Sequence, residues 1–117
     1  MEVITHTIND IKIAEVNSPE IIINNAEDGL DLLGNLYYQD FDKIIIHEQN
    51  INPDFFDLKN GMAGEILQKF SNYRIRLIIV GDFNFTSQSI KDFIYESNNG
   101  KQVNFLSTVE EAILKFT

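Results

Sequence analysis

Cysteine is missing from the chain. That rules out disulfides, thiolate metal ligation and a cysteine nucleophile, and it fits a reducing compartment. Proline and glycine are scarce, at two and six residues, and they are spread out. With no repeat, low-complexity tract or linker, one domain over residues 1–117 is expected. Basic residues are also few: nine Lys and Arg stand against 18 Asp and Glu, a net charge of −9. A nucleic-acid backbone repels such a surface, because affinity for it comes largely from Lys and Arg displacing counterions. Arg74 and Arg76 are the only close basic pair, so no nucleic-acid partner is expected. No apolar run approaches the roughly 20 residues of a membrane helix. The start, Met1 to His6, has neither the basic region nor the apolar core of a signal peptide. Together these absences predict a cytoplasmic protein with no membrane association.

What is present is enough to fold. The chain has 117 residues, 44% of them hydrophobic, so a core forms without staples. Val3–Ile8 and Ile11–Val16 are β-branched runs separated by Asn9-Asp10, two residues that tolerate positive φ, which predicts a hairpin. Ile11, Ile13 and Glu15 share one side of the second run, predicting a sheet exposed on one face there. After Ile21-Ile22-Ile23, Asn24 caps a first helix with Glu27 reaching back, and Leu30, Leu33 and Tyr37 form its apolar stripe. Lys43–His47 and Ile75–Val80 are continuous apolar runs, the mark of strands covered on both faces.

Between them a second helix is predicted from Leu58 to Phe70, capped by Asp57. Gly61, Ala63 and Gly64 make it thin. Each helix-interior Gly costs about 1 kcal/mol relative to Ala, so close backbone approach is expected there. A third helix starts at Thr86 or Ser87, carries Ile90, Phe93 and Ile94, and ends at Asn98-Asn99-Gly100 through a left-handed cap. Val103–Leu106 is a last strand, and Ser107 to Glu110 reads as a capping box for a final helix with Val109, Ala112, Ile113 and Phe116 inward. The order is β-β-α-β-α-β-α-β-α: an α/β fold with a mixed sheet of about five strands and four helices, its later strands parallel through right-handed crossovers.

This order resembles the STAS domain, the fold of bacterial anti-sigma-factor antagonists and of the cytoplasmic tails of sulfate transporters. The closest local match is Lys43 to Gly81, an apolar strand, a short loop, a Gly-containing helix and a second apolar strand. More narrowly, Asp54–Leu58 with Gly61–Phe70, Asn72-Tyr73, Val80–Phe83 and Asp92–Asn98 look like the signature of a bacterial domain-of-unknown-function family. In STAS antagonists a serine just before a glycine at the start of the second helix is phosphorylated. Here that position, before Gly61, is Asn60, which cannot accept a phosphate.

The resemblance implies a non-enzymatic interaction or regulatory module, a monomer or homodimer that needs no cofactor and binds a protein partner. The expected contact surface is Asp54, Phe55, Phe56, Asp57, Asn60, Gly61, Met62 and Gly64. Core packing accounts for Phe55 and Phe56; the competing reading exposes one of them, since adjacent residues ahead of a helix seldom both point inward. The alternative function is a small-molecule or metal site, or a small enzyme. It would use His47, Glu48, Asp57 and Asp82 at the carboxyl ends of the strands, where open α/β sheets bind ligands. Local roles compete with it: Asp57 as a cap, Asp82 as a turn residue, His47 as a strand-end hydrogen-bonder. His6 reads only as part of a terminal strand. No phosphate-binding Gly motif or nucleophile elbow is present.

Overall fold

In the computed structural model, which describes all 117 residues, the elements follow the expected order. They are β1 (Glu2–Ile8), β2 (Ile11–Asn17), α1 (Ala26–Tyr38), β3 (Lys43–His47), α2 (Met62–Asn72), β4 (Arg76–Val80), α3 (Gln88–Asn98), β5 (Val103–Leu106) and α4 (Val109–Phe116). One sheet holds all five strands in the order β1-β2-β3-β4-β5. β1 is antiparallel to β2; β2 to β5 are parallel to their neighbours. Asn9 and Asp10 both take positive φ (51° and 68°), the tight hairpin turn that their short polar side chains allow.

Each crossover from β2 to β5 advances one strand in the same direction, and right-handed crossovers then set α1, α2 and α3 on one face. Pleating sorts the strand residues accordingly. Ala14, Val16, Ile44, Ile46, Leu77, Ile79 and Phe105 pack with Leu33, Leu36, Ile66, Phe70 and Ile90 of those helices. Ile13, Ile45, Ile78 and Val80 point to the other face and pack under Ala112 and Phe116 of α4. α4 covers β3, β4 and β5. β2 is buried on both sides from Ile13 to Val16, so it is not half-exposed as its alternation suggests.

Several helix ends are shifted. α1 is capped by Asn25, whose side chain accepts from Asp28 N–H (2.9 Å), while Asp28 accepts from Asn24 N–H (3.0 Å). With the start one residue later, Gly29, Leu32, Leu33 and Leu36 face inward and Tyr37 is half exposed. The cap of α4 is Thr108 with Glu111 in place of Ser107 with Glu110. α3 ends in a right-handed Asn99, so the left-handed cap does not form.

The largest correction concerns α2. Residues Leu58–Asn60 form a separate 3₁₀ turn, and the α-helix begins only at Met62. Asp57 makes no capping hydrogen bond. Gly61 reverses the chain with φ +79°, a conformation that penalises a Cβ, and Asn60 accepts from Met62 N–H (2.9 Å). A Cβ at Gly64 would meet nothing within 4 Å, so no backbone approaches there. The close approach is at Gly29 of α1, where a Cβ would lie 2.9 Å from Ile66 of α2. Phe55 and Phe56 are both core. Their 3₁₀ turn spreads successive side chains by about a third of a turn, and the loop after β4 covers Phe56 with Phe85 (ring centroids 4.8 Å) and Phe83 (6.2 Å).

Candidate functional site

The sheet brings together three polar side chains on the face that carries α4. Glu15 follows Ile11 and Ile13 on the same side of β2, opposite Ile4 of β1 and beside Ile45 of β3. His6 stands opposite Ile13, and His47 lies two residues beyond Ile45, so both imidazoles share that face. Glu15 is 8% exposed. Its Oε1 lies 2.8 Å from His6 Nε2 and its Oε2 lies 2.8 Å from His47 Nε2. One carboxylate thus ties together three adjacent strands.

Burial pushes the Glu15 carboxyl up, but the hydrogen bonds from His6 and His47 and the charge of the two imidazoles outweigh it. The net effect holds Glu15 below the ordinary carboxylate range. An ionised carboxylate only accepts, so each Nε2 carries a proton and donates it. Both Nδ1 atoms lack a partner within the chain. A carboxylate that fixes an imidazole's tautomer and leaves its second nitrogen free is the arrangement that orients a general base. Each Glu15 oxygen is engaged by a histidine proton, and no group of three or more His, Asp or Glu side chains is arranged to hold a metal ion.

His47 also borders the polar region expected from the sequence. With Glu48, Gln49, Val80, Gly81 and Asp82 it lines a cleft of about 260 Å³ at the carboxyl ends of β3 and β4. Glu48 Oε1 accepts from Asp82 N–H at 3.0 Å. Its side chain lies against Gly81, where a Cβ would collide with it, so only Gly leaves it room. Asp57 is elsewhere, lining a second cleft of about 380 Å³ with Phe56, Lys59, Phe85 and Ser87. Of the four residues grouped by sequence, three therefore share a cleft and one does not. Parallel strand order never reverses in this sheet, so it lacks the switch point where doubly wound folds open a ligand crevice.

Of the expected contact surface, Asp54, Asp57, Asn60, Gly61 and Gly64 are exposed, Met62 is half-buried, and the two phenylalanines are withdrawn into the core. Asn60 holds this segment together by donating to Asp54 C=O (2.8 Å) and accepting from Met62 N–H.

Residues 8–116 match the family model of a domain of unknown function, DUF4180. The chain belongs to that family. No curated protein and no solved structure matches it. The family match takes in Glu15, His47 and the Asp54–Gly64 segment, and begins at Ile8, two residues after His6. Sequence reasoning missed Glu15 as the partner of His47, and His6 as the second histidine on that carboxylate. The available signal was a carboxylate on the inward side of β2, continuing the Ile11, Ile13 alternation.

Proposed function

We propose that this DUF4180 chain is a regulatory protein-binding module of STAS-like organisation, acting as one domain over residues 1–117 in a bacterial cytoplasm. The segment from Asp54 to Gly64 is its contact surface. The observation that supports this reading is the combination of a fixed backbone and an uncommitted polar rim. Phe55 and Phe56 anchor the segment in the core, and Asn60 and Gly61 set its turn. Asp54 and Asp57 are exposed and form no ion pair. A preordered loop loses little conformational freedom on binding, and free carboxylates favour a partner with a basic patch.

The test is affinity purification from the native host with the unaltered chain and with Asp54→Lys/Asp57→Lys. Both substitutions are at exposed sites, whereas a charge at the buried Phe55 would unfold the domain. A partner captured by the first and lost by the second, at equal thermal stability, is the expected result. Equal capture of the same partner by both would sink the reading.

The Glu15–His47 bond favours a second reading, in which the cleft of His47, Glu48 and Asp82 takes a small polar ligand and His47 handles a proton. That predicts amide shifts at Gly81 and Asp82 in an NMR titration against small polar compounds, abolished by His47→Gln. A spectrum unmoved by every compound would count against it.

A further inference from the structure

The two edges of the sheet are finished differently. β5 is four residues long, and the edge-facing backbone groups of its Phe105 are closed off by Asn98 of α3: Asn98 Nδ2 donates to Phe105 C=O (3.1 Å), and Phe105 N–H donates to Asn98 Oδ1 (2.7 Å). The opposite edge, β1, is seven residues long, regular in register and free of Lys, Pro and bulges. Natural sheets protect long edges with such devices, because an open edge is a template for another strand.

The phase of the hairpin says which groups are open. In a two-residue turn the flanking residues, Ile8 and Ile11, exchange hydrogen bonds, so the even residues of β1 bond inward to β2. The N–H and C=O groups of Val3, Thr5 and Thr7 therefore face out, and none is hydrogen-bonded within the chain.

We propose that this edge pairs with β1 of a second copy, antiparallel, across a two-fold axis at Ile4. The side chains select both occupant and register. With the axis at Ile4, Val3 pairs with Thr5 through the open backbone groups, Ile4 meets Ile4, and Glu2 of each copy stands opposite His6 of the other. These last two pairs fall on the face that carries Glu15. An axis at Thr5 forms as regular a ladder but sets Glu2 against Ile8 and His6 against Ile4, leaving the charge without a partner. With its imidazole protonated, His6 opposite Glu2 is an opposite-charge pair, which directly across strands stabilises an antiparallel ladder, and an isologous contact satisfies both copies at once. In the pair, His6 lies between Glu15 of its own chain and Glu2 of the other, so the second copy completes the histidine–carboxylate network.

Sedimentation equilibrium, combined with single cysteines in a chain that has none of its own, tests this. The unaltered chain is expected to dimerise reversibly between micromolar and millimolar concentration. Ile4→Cys places two thiols in a non-hydrogen-bonded pair with Cα atoms about 4.5 Å apart, within disulfide range, and should oxidise to a covalent dimer, whereas Thr5→Cys should not. Thr5→Pro removes an outward N–H that β2 does not use and should raise the dimer Kd by at least about tenfold. A chain that stays monomeric, a dimer indifferent to Thr5→Pro, or cross-linking at Thr5 in place of Ile4 would overturn the proposal. Should Thr5→Pro fail to fold, the two cysteine variants decide alone. The Asp54–Gly64 reading stands or falls separately, since its partner capture needs no dimer.

Discussion

His47 Nε2 lies 2.8 Å from Oε2 of Glu15, joining two residues 32 positions apart on neighbouring parallel strands. Glu15 is nearly buried and has His6 as its only other side-chain partner. Such a group is tolerated as part of a complete set and costly when a partner is removed.

Replacing His47 by Leu, or His6 by Leu, should destabilise the domain by about 1–3 kcal/mol each, because the carboxylate loses a donor it cannot regain from bulk water. Replacing all three residues by apolar ones of similar size should cost less than the sum of the single changes. Urea unfolding of the singles, doubles and triple measures the coupling; strict additivity would show that the three do not act as a unit.

Stability should depend on acid in a defined direction. The Glu15 carboxyl is held below its ordinary range in the folded chain. Its contribution is therefore complete above the unfolded carboxylate value, near about 4.3, and fades as pH falls through the lower, folded value. Melting temperatures from pH 7 down to about 3 should fall less steeply in Glu15→Gln than in the unaltered chain. Parallel curves would exclude Glu15 as a source of the acid limb.

Two neighbouring glycines should answer alanine with opposite signs. Gly61 has φ +79°, so Gly61→Ala should destabilise by about 1 kcal/mol. Gly64 is exposed in α2 with open space around it, so Gly64→Ala should stabilise by about 0.5–1 kcal/mol through helix propensity. Thermal unfolding of the two variants separates the turn-forming glycine from the dispensable one.

At Gly29 the neighbour decides. An added methyl would press on the Cγ1 and Cδ1 of the buried Ile66, each 2.9 Å away. Gly29→Ala should cost about 1–3 kcal/mol by overpacking. Ile66→Val, which deletes one of the two crowded carbons, should recover part of that loss in the double variant. Chemical denaturation of the four chains gives the coupling energy directly.

Local chemistry made much of this fold legible. Alternation marked β1 and β2, Asn9-Asp10 the turn between them, and the apolar runs Ile44–Ile46 and Ile75–Val80 the buried strands of a mixed five-stranded sheet with four helices. These signals act over a few residues, through sterics and the two-residue period of a strand. Cap positions slipped by one residue because several Asn, Thr, Asp and Glu side chains compete for the same helix ends. The Phe55-Phe56 pair shows the next level. Whether both are buried depended on the loop after β4 folding over them, which no local pattern contains.

The site belongs almost wholly to the tertiary structure. His6, Glu15 and His47 are separated by 9 and 32 residues, and nothing in their spacing relates them. Only the strand order β1-β2-β3, with Ile4 opposite Glu15 and Glu15 beside Ile45, turns all three to one face. A shift of one residue in either register would have sent Glu15 away from its histidines. The sequence by itself therefore determined an acidic α/β domain and its elements, because those follow from local sterics and hydrophobic period. Which charges meet was decided by sheet register, a property of pairing between distant segments.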